Sequence, residues 1–376
     1  MEHLVPWLSL KSVSGIGDHL FYRLISHFGT PERVLQASTA SLQQVDGITA
    51  RLAASITGHR PADDLFKEIE QCGRKGFHII TLHDSHYPAL LLQLPDPPPY
   101  LYCYGTLAGD DCHIAVVGSR KASNYGKSCA KRLGQELAQN GVSVVSGMAT
   151  GIDTAAHAGA LTGGGKTIAV LGSGLNRIYP ASNRKLFHSI AENGAVLSEF
   201  ALNSDPLAHH FPKRNRIISG MALGTVVVEA AKRSGSLITA RLAAEQGREV
   251  YAVPGSIYAA TARGTHHLIK QGAKLVETAQ DILEEVAPQM EVLHSSEKNV
   301  AKRPPASDKA TSMSKLEIQL LEAMSPYPVH IDVLARQCNQ QIGTLTATLC
   351  QLELKGAVIQ EPGKFYLLKN TAVENE

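Results

Sequence analysis

An excess of basic charge, paired cysteines and long apolar runs are all missing from this sequence. Its 376 residues carry 36 Lys+Arg against 34 Asp+Glu, a formal net charge of +2. The chain as a whole is therefore no polycation, and any surface for a polyanion must be a local patch. The six cysteines, Cys72, Cys103, Cys112, Cys129, Cys338 and Cys350, include no C-x-x-C and no close pair. That argues against a disulfide framework or a zinc site and fits a reducing compartment, with the thiols acting as small apolar residues. No stretch reaches the roughly 18 apolar residues of a membrane span. Residues 1–10, MEHLVPWLSL, lack the basic start and apolar run of a secretory signal. A cytoplasmic protein with no membrane partner is expected.

Two nucleotide-binding signatures are also incomplete. Gly163-Gly164-Gly165-Lys166-Thr167 resembles the end of a P-loop, but Ala160 stands where that motif needs its first glycine. Lys166 also precedes a strand-like run, where a P-loop lysine opens a helix. The segment reads as a turn. After the first β-rich run comes Gly118-Ser119-Arg120, which puts a charged side chain where a dinucleotide fingerprint needs its second glycine.

What is present divides the chain into four parts. Residues 1–75 show apolar residues at helical spacing, such as Leu20, Leu24 and Ile25, broken by turns at Gly15-Ile16-Gly17 and Gly47-Ile48. The first turn resembles a helix-hairpin-helix, and this part is read as a helical module of that kind or SAM-like. From 76 to 287 short apolar runs at 113–117, 142–146, 167–171, 195–198, 225–229 and 249–253 alternate with helical stretches such as 126–139, 152–161 and 236–246. This alternation predicts an α/β, mostly parallel, doubly wound Rossmann-like sheet with helices on both faces. Residues 288–313 are polar and rich in Pro, Ser and Lys, and read as a linker. Residues 314–370 hold candidate helices near 315–323, 330–337 and 342–355 and two short runs joined across Pro362-Gly363, a C-terminal winged-helix-like domain.

Ligands of open α/β sheets bind at the carboxyl ends of the strands, near the reversal of strand order. The glycine-rich segments fall there: Gly118, Ser119, Arg120 and Lys121; the loop 147–153; Gly172, Ser173 and Gly174; and Arg233, Ser234, Gly235 and Ser236. Glycines admit close backbone approach, and helix N-termini add partial positive charge, so together they suit phosphates. Nearby stand Phe211, Lys213, Arg214, Asn215 and Arg216. Over 207–241 six cations face one acid, Glu229. Basic side chains grip phosphate and an aromatic such as Phe211 offers a stacking face to an unpaired base. A helix at 213–219 cannot aim every charge the same way, so at least one of Lys213, Arg214 and Arg216 is expected to be structural.

These segments resemble the DprA/Smf family of DNA-processing proteins. The matching runs are Gly118-Ser119-Arg120, SGMATGIDTAAH at 146–157, LGSGLNRIYP at 171–180, FPKRNRIISG at 211–220, SGSLITA at 234–240 and QGREVYAVPG at 246–255, in the family's order. The resemblance implies a non-enzymatic protein of natural transformation and recombination. It would bind and protect incoming single-stranded DNA, form homodimers and load RecA, with no catalytic residue, metal or cofactor. Arg120 would meet phosphate, Lys213, Arg214 and Arg216 would add contacts, and Phe211 would stack. His266 stands where the family usually has asparagine.

Two rivals use other features. A nucleotide-processing enzyme resembling the phosphoribohydrolases would need an acid after its glycine-rich loop, and Ser234–Arg241 has none. Asp153 and Glu229 remain, read as a helix cap and as the partner of a nearby arginine. A duplex-DNA regulator would use the tail, but residues 312–376 hold five basic against seven acidic side chains, poor for a phosphate backbone.

Overall fold

In a computed structural model, the structure describes residues 2–107, 112–300, 315–324, 329–338, 340, 342–354, 357–361 and 363–368. The chain forms two compact units, Met1–Ala301 and Lys302–Glu376.

The first unit opens with helices α1 (Val5–Ser12), α2 (Asp18–Phe28), α3 (Pro31–Gln36), α4 (Thr39–Leu42), α5 (Ala50–Thr57) and α6 (Asp63–Arg74). Their starts follow capping chemistry: Thr30, Ser38 and Thr49 each accept a backbone N–H from the first turn of the helix they precede. Thr49, in the second hairpin turn, is thus a cap in place of a glycine.

The sheet that follows contains β1 (Phe77–Thr81), β2 (Tyr100–Gly105), β3 (His113–Val117), β4 (Ser143–Ser146), β5 (Thr167–Val170), β6 (Ala195–Ser198), β7 (Gly224–Val227), β8 (Glu249–Ala252) and β9 (Lys274–Leu275). Between them lie α7 (Asn124–Gln139), α8 (Ile152–Thr162), α9 (Arg184–Asn193), α10 (His210–Gly220), α11 (Ser236–Glu245) and α12 (Arg263–Lys270). The spatial order is β1-β2-β6-β5-β4-β3-β7-β8-β9. The strands from β6 to β9 are parallel, and β1 and β2 add an antiparallel edge. The chain winds outward from β3 in one direction through β6 and in the other through β9. The switch point is therefore the crevice between β3 and β7, where Val117 pairs with Val227.

Alternation along β3 serves both layers. Ala115 and Val117 join one apolar cluster with α9 and α10, while Ile114 and Val116 join another with α7 and α8. The first cluster runs on without a break into the N-terminal helices, so Leu24 and Leu42 share a core with Leu91, Leu101 and Ile217. The helical module is part of the first unit, packed onto the sheet.

Helix α13 spans Ala279–Val300 with Pro288 inside it. The expected linker at 288–313 is therefore corrected in its first half, which is helical. Ile282 and Val286 are buried in the cluster with α7 and α8 and anchor this helix, which runs on past a proline that costs about 3 kcal/mol in a helix interior. Residues 301–313 of that linker lie outside the described residues.

The second unit contains α14 (Lys315–Ala323), β10 (Val329–His330), α15 (Ile331–Cys338), α16 (Ile342–Leu354), β11 (Val358–Glu361) and β12 (Phe365–Leu368). Its antiparallel sheet has the order β10-β12-β11, and Leu320, Leu334, Leu345, Leu349 and Tyr366 form its core. Three helices and a β-hairpin make a winged helix. Within this unit, short β10 is an element that the apolar pattern did not announce. Among the described residues, no helix is long and apolar enough to cross a membrane.

Candidate nucleic-acid interface

At the β3/β7 switch point the chain leaves an open groove of about 890 Å³. One wall is the turn after β3, Gly118 to Lys121, and the other is the segment after β7, from Ala231 to the first turn of α11. Ala149 and Asp153, beyond β4, form the floor with Arg214 of α10. Backbone bonds lock the walls together: Ser119 N–H donates to Glu229 O at 2.8 Å, and Ile152 N–H to Ser119 O at 3.2 Å. Met148, at the end of β4, is buried with φ of 54°, a left-handed conformation that a non-glycine residue holds only when its surroundings impose it. Asn183 secures that turn by donating from Nδ2 to Met148 O at 2.9 Å.

The groove's most distinctive contact is Arg120 over Phe211, guanidinium carbon to ring centroid 4.8 Å. Arg120 is exposed and forms no ion pair among the described residues, so its charge is free for an anion. The Phe211 ring fits because Gly172 has no side chain; a Cβ there would come within 2.8 Å of it. Tyr179 lies beside it, ring centroids 5.7 Å apart, and remains 46% exposed. Lys121 and Arg233, both exposed, stand on the two walls with no acidic partner among the described residues. A cation held over an aromatic ring, with a second ring next to it, gives one place to a phosphate and another to an unpaired base.

Electrostatics beneath the surface are tuned by burial. Arg214 is fully enclosed, and desolvation lowers its pKa to about 10, with Asp153 raising it and Arg120 lowering it further. Its guanidinium donates to Gly147 O at 2.9 Å and also to Val170 O. Burial likewise pushes the Asp153 carboxyl up to about 6, against the pull of Arg214, of the Ala149 and Gly147 N–H groups and of Arg120. His157, buried near Arg214, is brought down to about 3 and stays neutral.

The structure gathers most of the residues singled out from sequence. Gly118, Ser119, Arg120 and Lys121 line the groove on one side. Arg233, Ser234, Gly235 and Ser236 line it on the other, with Phe211, Arg214 and Asn215 between. Three do not join them. Arg216 is buried elsewhere, donating from Nη2 to Asp18 Oδ2 and Glu199 Oε2, each at 2.7 Å, and from Nη1 to Asp96 O at 2.8 Å. Burial alone would depress its pKa, but Glu199, Asp18 and Asp96 together raise it. Lys213 reaches the same acids, 3.3 Å from Glu199 and 3.8 Å from Asp18. Two of the three expected cations of α10 thus tie the N-terminal helices to the sheet. Gly174 is a packing glycine: a Cβ there would lie 2.1 Å from Ala201 O and 2.2 Å from Leu202 O.

Other expectations shift in detail. Among the described residues Glu229 pairs with no arginine; it accepts from Ser123 N at 2.9 Å, Ser123 Oγ at 2.5 Å and Thr261 Oγ1 at 3.4 Å. Asp153 does sit in the first turn of α8, accepting from Ala149 N at 3.3 Å. His266 is 3.0 Å from Gly255 O and holds the loop after β8. Sequence reasoning passed over Tyr179 and Thr261 as groove residues. Tyr179 lies in the run LGSGLNRIYP, one of the segments that resemble the family, which was the available signal.

Comparison with known proteins gives this geometry a lineage. Residues 78–287 match the family model of DNA recombination-mediator protein A, residues 302–364 the DprA winged helix domain, and residues 8–57 a SAM-like helix-hairpin-helix tandem. The chain is 39% identical to the Smf protein of Escherichia coli over 366 residues, covering 96% of this chain and 95% of that protein. It is 47% identical to the DNA processing protein DprA of Streptococcus pneumoniae over 213 residues, 56% of this chain and 74% of the relative. Among solved structures, DNA processing protein A from S. pneumoniae aligns with a TM-score of 0.66 at 38% identity, covering 74% of this chain and 97% of that one. DNA processing protein A from Helicobacter pylori, in a structure concerned with its single-stranded DNA binding mode, aligns with a TM-score of 0.51 at 31% identity, covering 57% and 97%. With matches across all three segments and near full-length relatives, this chain belongs to the DprA/Smf family of DNA-processing proteins.

Proposed function

We propose that the groove at the β3/β7 switch binds single-stranded DNA by charge neutralisation and base stacking, without bond chemistry. The observation that carries this reading is exposed Arg120 held 4.8 Å over Phe211, with exposed Lys121 and Arg233 on the flanking walls. The similarity to the H. pylori protein, whose structure concerns single-stranded DNA binding, supports it. Phosphates meet the cations and the N-terminal turn of α11, and bases meet Phe211 and Tyr179. Single strands win over duplex because only unpaired bases expose their faces. In the cell, the chain would act in the cytoplasm in natural transformation and recombination, protecting incoming strands, pairing as a homodimer and delivering the strand to RecA. Anisotropy titrations with single-stranded and duplex oligonucleotides of equal length test the core of this. Preference for the single strand is expected, and equal affinity sinks the stacking argument.

An enzymatic reading has one observation in its favour, the raised pKa of Asp153 on the groove floor. That carboxylate is engaged by the Ala149 N–H and faces the charge of Arg214, an arrangement that holds the floor in shape. Incubation of nucleotides with the purified chain is expected to release no free base.

A further inference from the structure

Next to the groove lies a second pocket, of about 490 Å³, at the carboxyl ends of β7 and β8. Its size falls in the roughly 300–1,000 Å³ range of small-ligand sites. The two cavities are built by the same loops. Lys121 lines the first and Ser123 the second; Ala231 lines the first and Glu229 the second; Thr261 lines both. A chain lying in the groove and passing Thr261 therefore enters the second pocket.

The walls suit an unpaired base. Val228, Pro254, Ala259 and Ala262 are apolar, and Tyr125, 53% exposed, stands over them with its hydroxyl donating to Pro254 O at 3.0 Å. The rim loop carries Ile257 and Tyr258, which are 73% and 89% exposed. The Glu229 carboxylate takes three donors, two from Ser123 and one from Thr261. A carboxylate has about four acceptor sites, which leaves one for a ring N–H or amino group of a base. Arg263, directly after Ala262 in the chain, is exposed and has no acidic partner among the described residues, as is Lys121 on the groove side. A cation thus stands on each side of the pocket in sequence for the flanking phosphates.

We propose that this pocket is a second base site on the same DNA strand, with Tyr258 closing over a base whose neighbours occupy the Arg120–Phe211 groove. The proposal rests on the groove being the single-strand site. It explains two large apolar side chains left in water beside the groove, and it requires no movement of the sheet.

The test uses the full chain and single-stranded oligonucleotides carrying 2-aminopurine at successive positions, read by quenching and by affinity. Wild type should show two separated quenched positions. Tyr258→Ala should relieve one of them and weaken binding of long oligonucleotides by about 5- to 150-fold, the value of one base stack. Tyr258→Phe should restore both. Phe211→Ala should relieve only the other position. If Arg120→Ala weakens binding while Tyr258→Ala leaves quenching and affinity unchanged, the second site is wrong and the groove stands. If neither variant differs from wild type, the groove itself is wrong and takes this proposal with it. If Tyr258→Ala leaves quenching intact but changes the sedimentation coefficient of the free protein, the rim is a contact between copies and the proposal is overturned.

Discussion

Arg216 and Arg214 are two residues apart on α10, yet their guanidinium groups answer to different parts of the molecule. Arg216 lies among Asp18, Glu199 and Asp96, and removing one partner of a buried charge set leaves the others uncompensated. Arg216→Ala is expected to cost about 3–5 kcal/mol, measured by denaturant unfolding. A loss under about 0.5 kcal/mol, the usual reach of a surface substitution, contradicts the buried-network assignment. Arg214 instead sits under the groove facing Asp153, whose carboxyl is raised to about 6. A folded pKa above the unfolded value of about 3.9 means that the ionised group costs stability at neutral pH. That cost is complete above pH 6 and is relieved as pH falls from 6 towards 4. The same protonation removes a negative charge beside Arg214, so affinity for a polyanion should strengthen as pH drops through 6. Asp153→Asn should remove that component, seen as a smaller pH response in titrations from pH 7.5 to 5 at fixed salt. Identical pH responses in the two proteins would show that Asp153 does not face the bound strand. At this scale the sequence could announce the charges but not their partners. Helical positions turn by about 100° per residue, at 3.6 residues per turn. Which way Lys213 and Arg216 face was decided by Asp18, almost two hundred residues earlier in the chain, together with Glu199.

At the scale of elements, β3 and β6 were legible to the residue, because a parallel strand covered on both faces is a continuous apolar run with polar or glycine ends. Strands β1 and β2 were not placed. They are an antiparallel edge flanking the proline-rich 95–99 segment, and β9 has two residues, too few to show a period. The groove was legible as a set of glycine loops, yet those glycines have different reasons. A Cβ at Gly118 would lie 2.6 Å from Ile152 Cγ1, and packing demands that glycine whether or not a ligand binds. Gly235 is different: it caps α11 with φ of −62°, and a Cβ there would meet nothing within 4 Å. Gly235→Ala should therefore leave the thermal midpoint unchanged while weakening single-strand binding, because only a ligand at the helix N-terminus would meet the added methyl. Unchanged affinity would place the strand away from α11. The N-terminal helices share their apolar core with the sheet. A fragment starting at residue 76 is expected to unfold at lower temperature than the full chain, compared by calorimetry. An unchanged midpoint for the sheet unit would mean that this shared core contributes nothing.

For the whole molecule, a net charge of +2 hides a local separation. Arg120, Lys121 and Arg233, without acidic partners among the described residues, gather at the sheet's switch point, whereas Lys213 and Arg216, equally basic in sequence, are neutralised by Glu199 and Asp18. Counting charge along the segment thus pointed to the groove and overstated its free charge. The winged-helix unit and the doubly wound sheet were both readable from pattern and length, and family resemblance supplied the DNA. The account stands on Arg120 as a cation that meets phosphate. The most direct test is the salt dependence of single-strand affinity for wild type and Arg120→Ala. Each neutralised phosphate contributes about −0.7 to the log–log slope, so the variant should bind more weakly with a slope shallower by about that amount. A well-folded Arg120→Ala protein with wild-type affinity and an unchanged slope would contradict the account.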